Sequence, residues 1–331
     1  KLKTFDALIP EQQPSGYFTV LNITEDDITR EGGYPLPRQR LAEINIQLKK
    51  KGALGIGWVV AFPQPDRFGG DEAFKQSLED IPSVLAMFEG DNALYPNTTG
   101  TVILGEDVGG TPAAGVIQNI DLFKQSSQQG IAVARTEVDS LIRRLPLLLR
   151  TPDGWVPAYG TEVLKILVGA DTYVIKTNDN GLEEIRVRGL PPVPVDSLGR
   201  KWISFVNTPH TNLKDMDVQD KFVFIGYTAK GIMPQLATPV GLLEPHMIQA
   251  SLAESILIEN SPYVPDYAIA LELMLFALSI CIVWVLLNVG GMSLGIVLGL
   301  TIMIATTSYG YWTIQQGLLI DVTWSLISQF I

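Results

Sequence analysis

The chain carries few residues able to do chemistry, and their spacing argues against most reactions. It has two histidines, His210 and His246, and one cysteine, Cys281. Neither histidine has a partner Cys or carboxylate at ligand spacing, and a metal site needs several such donors. No metal and no cofactor is therefore expected. His210, in Thr208-Pro209-His210, reads as a loop residue. No nucleophile elbow occurs. The run Gly226-Tyr227-Thr228-Ala229-Lys230-Gly231 follows an apolar stretch, but a phosphate loop places its Lys after the second glycine with Ser or Thr next. Here Lys230 precedes Gly231, so a plain strand-to-loop turn is expected. Glu25/Asp26/Asp27 and Glu183/Glu184 read as solvated turns rather than acid/base dyads. No catalytic residue is expected, and this segment is not read as an enzyme.

The elements that hold these residues divide by charge. All 24 Lys and Arg residues fall at or before Lys230, whereas the stretch from residue 231 onward has six acidic residues and no Lys or Arg. The net charge is −11. Nucleic-acid binding needs a basic footprint, and none is present. A single cysteine permits no internal disulfide, so the polar part must be stabilised by its core.

Within that part, residues 18–23 predict a strand. Pro35 and Pro37 introduce a helix with Leu41, Ile44 and Leu48 on one face, closed by Gly52. Residues 54–62 are nearly all apolar, as in a strand covered on both faces. A helix over 70–80 and a buried strand over 84–88 follow, so strands and helices alternate as in a parallel sheet. Further on come a turn at Pro152-Asp153-Gly154, a helix over 158–167, and strands over 173–177 and 182–187 flanking a hairpin signal at Asn178-Asp179-Asn180-Gly181. Pro191, Pro192 and Pro194 predict a stiff linker. Strands over 202–206 and 222–226 and a helix over 245–258 complete the body.

Residues 268–287 contain one charge, Glu272, and at about 1.5 Å per residue cross a hydrocarbon layer of roughly 30 Å. Glu272 lies in the second turn, where it can reach the interface and favour the helix N-terminus. A second uncharged span covers 292–311. Asp321 is placed to cap a third helix from Val322, whose end at Ile331 is expected to continue. Gly291, Gly295 and Gly299 share one face of the second span and predict a helix-packing surface. The expected organisation is an α/β domain with a mixed, largely parallel sheet over 1–262, then membrane helices over 267–287, 292–312 and from 321.

Four ordered patches resemble the type-two CHASE domain, a sensory domain associated with cyclases and histidine kinases outside the bacterial cytoplasmic membrane. The first runs through Ile23 and Ile28 to Tyr34-Pro35-Leu36-Pro37-Arg38. The second is Gly52-Ala53 to Phe62 with Pro65-Asp66. The third is Asp139-Ser140-Leu141-Ile142-Arg143-Arg144-Leu145-Pro146-Leu147. The fourth runs from Lys221 through Gly226, Thr228 and Ala229, with Thr238-Pro239. The resemblance covers about residues 4 to 262. It implies ligand-binding roles for Arg38, Asp66, Asp139, Arg143, Thr228 and Thr238, with Arg144 and Pro239 also retained. Thr24, Val59, Gln64 and Pro234 stand where the family usually has carboxylates, and Met247, Gln249 and Ser251 where it has Glu, His and Asn.

Two functions remain open. One is a periplasmic sensor of the bacterial inner membrane, multi-pass, relaying a signal to a cytoplasmic output such as a nucleotide cyclase or kinase that this chain does not contain. The other is a degenerate sensor serving as a structural or docking subunit of an envelope complex. Expected partners are membrane lipid and other membrane or periplasmic proteins, a second copy of the chain among them, and no nucleic acid.

Overall fold

The computed structural model describes residues 1–91, 94–258, 260–289, 291–323 and 325–326. They form two compact units, Gln12–Glu259 and a second made of Lys1–Glu11 with Asn260–Ile331.

The larger unit is built on a seven-stranded sheet. Its parallel strands lie in the order His210–Asn212, Phe18–Ile23, Phe222–Tyr227, Gly55–Trp58, Ser83–Glu89 and Gln128–Ile131. Val116–Ile117 adds an antiparallel strand beside Ser83–Glu89. The late strand Phe222–Tyr227 thus sits between the first two. Side chains of successive strand residues leave on opposite faces. Phe18, Val20, Phe222 and Phe224 enter one core, with the helices Tyr159–Leu167 and Pro245–Leu257. Leu21, Ile23, Val223 and Ile225 enter the other, under Arg38–Lys50 and Asp71–Glu79. Both faces are covered, which is why these strands are continuously apolar.

A second, four-stranded sheet runs Val193–Pro194, Gly181–Val187, Thr172–Asn178 and Gly100–Leu104. The hairpin at Asn178 to Gly181 is as expected. The proline linker is corrected in part: Val193–Pro194 pairs with the hairpin's outer strand. An edge position tolerates the missing N–H of proline. The strand expected over 202–206 is only Arg200–Trp202, antiparallel to Arg144–Pro146.

In the smaller unit, Ala268–Val289 and Gly291–Gln315 are helices. Among the described residues one helix is long and apolar enough to cross a membrane: Ala268–Val285, with mean hydropathy 2.5 and 11% of it buried. A three-helix bundle is not established by this. Lys1 Nζ donates to both Glu272 oxygens at 2.7 Å, and Glu272 also accepts the Asp321 N–H at 2.9 Å. Asp321 Oδ1 in turn accepts the Thr323 N–H at 2.9 Å, the cap contact expected there. The helix expected beyond Val322 lies largely outside the described residues. So do the surroundings of Gly291 and Gly295, while a Cβ on Gly299 would meet none of the described residues within 4 Å.

Candidate functional site

In open α/β sheets, ligands usually enter beyond the carboxyl ends of the strands. Here that edge begins where the strand Phe18–Ile23 passes into the helix Glu25–Arg30. Thr24 Oγ1 accepts the Asp27 N–H at 3.3 Å, and Asp27 Oδ2 accepts the Thr24 N–H at 2.9 Å. This reciprocal capping satisfies two helix-end donors. The triplet Glu25/Asp26/Asp27 is thus a helix start, not a solvated turn, because carboxylates there face the positive end of the helix. Asp27 is buried and accepts Arg30 at 2.6 Å. Glu183 and Glu184 are also not in a turn, lying within the strand Gly181–Val187.

Of the residues expected to bind ligand, Arg38 and Asp66 meet. Asp66 accepts the backbone N–H groups of Arg38, Phe68 and Gly70 at 2.9, 3.1 and 3.2 Å. Burial pushes its carboxyl up, but those donors and the Arg38 charge leave it below the ordinary range. The Arg38 guanidinium donates to Asp71 at 3.2 Å and to the Gln64 carbonyl at 2.8 Å, 4.4 Å above the Phe62 ring. Burial lowers its pKa, and Asp71 and Asp66 oppose that. The Tyr34 ring packs edge-on against Tyr227 at 5.4 Å. Next to Tyr227, Thr228 donates its N–H to the Ile23 carbonyl at 3.0 Å, joining the ends of two strands. The Asp66 and Asp71 carboxylates and the Arg38 Nε and Nη2 groups of this knot are all hydrogen-bonded within the chain.

The remaining candidates form a separate group. Arg143, fully buried, donates to both Asp139 oxygens at 2.7 and 2.8 Å. That pairing holds the Asp139 carboxyl at about 2. The Ile142 N–H between them donates to the Ala237 carbonyl, which brings Thr238 alongside. Thr238 donates its hydroxyl to the Gly241 carbonyl at 2.7 Å and closes the hairpin around Pro239. Arg144 pairs with Glu137 and Asp196.

One arrangement escaped the reading of the residues. Asn22 Oδ1 accepts from His246 Nε2 at 2.8 Å, and Asn22 Nδ2 donates to His210 Nδ1 at 3.2 Å. An amide oxygen only accepts and an amide nitrogen only donates, so this geometry puts a proton on His246 Nε2 and leaves His210 Nδ1 as an acceptor, the neutral Nε2–H tautomer of that ring. Burial pushes His246 down to about 3, with the His210 charge adding to it. Burial also lowers His210, opposed by Glu244. His210 is not a loop residue: it opens the edge strand beside Phe18–Ile23. The close fit depends on Gly226, where a Cβ would lie 2.3 Å from His246 Nδ1. The available signals were a polar Asn22 inside an apolar strand and two histidines that each follow a proline. No group of His, Cys, Asp and Glu able to hold a metal occurs among the described residues.

A family model described as the CHASE2 domain matches residues 1–291. The chain belongs to the CHASE2 domain family. CHASE2 domains are sensory extracellular domains, not catalytic ones, which agrees with a sheet edge whose charged groups are tied to one another. Comparison with curated proteins found no match, and comparison with solved structures found none either.

Proposed function

We propose that the chain is the extracytoplasmic sensory domain of a bacterial inner-membrane signalling protein, relaying its state to a cytoplasmic output. The observation that carries this is the helix Ala268–Val289, near the end of the CHASE2 match. Ile269, Leu273 and Trp284 are 67%, 63% and 67% exposed, and only 11% of the apolar window is buried. A core helix of a water-soluble protein hides such residues, whereas lipid accepts them at no cost. Relay requires two states of the body that differ in ligand affinity. In the complete protein, a solute added outside the cell is expected to change the activity of the cytoplasmic portion. An output indifferent to every external solute would contradict this reading.

The second reading is a docking subunit of an envelope complex. It is favoured by the knot of Arg38, Asp66 and Asp71, whose charged groups pair with one another, and by Gly299, where a Cβ would meet none of the described residues within 4 Å. Recovery of a stoichiometric partner in detergent, together with an unresponsive output, would select it.

A further inference from the structure

At the opposite edge of the main sheet, the first residues of Ser83–Glu89 and Gln128–Ile131 help line a cavity of about 890 Å³. It is of the size that holds small molecules. One wall is the segment 96–100, which leads into the second sheet, and another is the helix Tyr159–Leu167, through Glu162 and Lys165.

The lining has an unusual chemistry. Ten of its 26 residues are Ser, Thr, Asn or Gln, and none is aromatic. Its two cations are already matched: Lys165 pairs with Glu162 at 2.7 Å, and Lys124 with Asp121 at 2.7 Å. Glu162 is 1% exposed and also accepts the Tyr173 hydroxyl at 2.7 Å. Lys165 reaches Thr99 Oγ1 only at 3.4 Å. Four carboxylates line the space against two lysines, so an anion would meet net negative charge. Ser83, Gln118, Ser126, Ser127 and Gln129 already bond within the chain, so an apolar ligand would strip water chiefly from Asn97, Thr98, Gln125 and Gln128 without replacing its hydrogen bonds. A ligand hydroxyl both donates and accepts, as these side chains do. The lack of aromatic rings removes any platform for a stacked base or indole.

We propose that this cavity binds a small, uncharged, polyhydroxylated solute, with Lys165 and Thr99 among the residues that contact it. The proposal rests on the sensory reading and names the ligand class that such a sensor detects. Because the walls come from both sheets, an occupant bridges them and favours the state in which they are closest.

The test is a thermal-shift titration of the full chain in non-ionic detergent with glucose, trehalose and mannitol at millimolar concentration, against glutamate and succinate. At least one polyol or sugar is expected to raise the Tm saturably, by the mass action of a ligand that binds only the folded state. Gln125 lines the cavity, is exposed, and makes no side-chain hydrogen bond among the described residues. Gln125→Trp is expected to melt like the parent without solute and to lose the shift, and Lys165→Met to weaken binding at least tenfold. An equal shift in Gln125→Trp overturns the location. Stabilisation by glutamate or succinate but by no sugar or polyol overturns the ligand class, and flat curves throughout overturn the site. None of these outcomes touches the sensory reading, which is decided by whether the cytoplasmic output answers external solutes.

Discussion

Acid should destabilise the CHASE2 body through one buried ring. His246 is 1% exposed, and its pKa is lowered from 6.5 to about 3 by burial and then by the neighbouring His210. The folded chain therefore keeps this ring neutral where the unfolded chain protonates it. The stability it permits is fully present above about pH 6.5 and is lost as pH falls toward about 3, at about 1.4 kcal/mol per pH unit. Between pH 7 and pH 5 the loss from this residue alone is about 2 kcal/mol. That is a large part of a typical folding free energy of about 5–15 kcal/mol. His246→Gln keeps a donor for Asn22 Oδ1 and cannot titrate. Guanidinium unfolding of parent and variant in non-ionic detergent, followed by tryptophan fluorescence at both pH values, isolates the term. Carboxylates and His210 act in both proteins and largely cancel in the difference. The variant is expected to lose about 2 kcal/mol less than the parent on acidification. Equal losses in the two proteins would refute the buried neutral ring.

Two further substitutions test the packing of the sheet. Trp58 Nε1 donates to Asn45 Oδ1 at 2.9 Å in a buried chain that continues to Ser77. Asn45→Ala leaves that indole N–H without an acceptor and should cost about 1–3 kcal/mol in the same unfolding assay. A loss no larger than that of an exposed-site substitution would contradict the network. A Cβ on Gly130 would lie 2.6 Å from the Tyr159 Cα, where backbone cannot yield cheaply. Gly130→Ala should therefore destabilise by about 1–3 kcal/mol through overpacking. An unchanged midpoint would show that the helix Tyr159–Leu167 stands further from the sheet.

The main sheet was legible because its strands are covered on both faces and so read as unbroken apolar runs. Phe18–Ile23 has the expected bounds, and Phe222–Tyr227 and Ser83–Glu89 differ by one residue at the ends. The strand over 54–62 is shorter, Gly55–Trp58, because the chain leaves the ladder before the Phe62 N–H turns to the Asn119 side chain. The segment between residues 90 and 140 yielded no elements. Its strands Thr111–Pro112 and Val116–Ile117 are two residues long, too short for any period to register, and its longer elements Gly100–Leu104, Asp121–Ser126 and Gln128–Ile131 span no more than six residues each. The resemblance named Arg38, Asp66, Asp139 and Arg143, but it paired none of them; that Asp66 accepts the Arg38 N–H and Asp139 the Arg143 guanidinium came only with the fold. The Asn22, His210 and His246 chain was hidden for another reason. Its members lie far apart in sequence and meet only through strand register and the first turn of the helix Pro245–Leu257.

Everything proposed about function depends on which side of the membrane the CHASE2 body occupies. Val138 is 98% exposed, and Cys281 lies within the apolar helix Ala268–Val289. In a Cys281→Ser background, Val138→Cys gives a single reporter thiol on the body. Cells with a permeabilised outer membrane and an intact inner membrane are treated with a membrane-impermeant maleimide. Full labelling before lysis is the predicted result. Labelling that appears only after the inner membrane is broken would place the body in the cytoplasm and contradict the account.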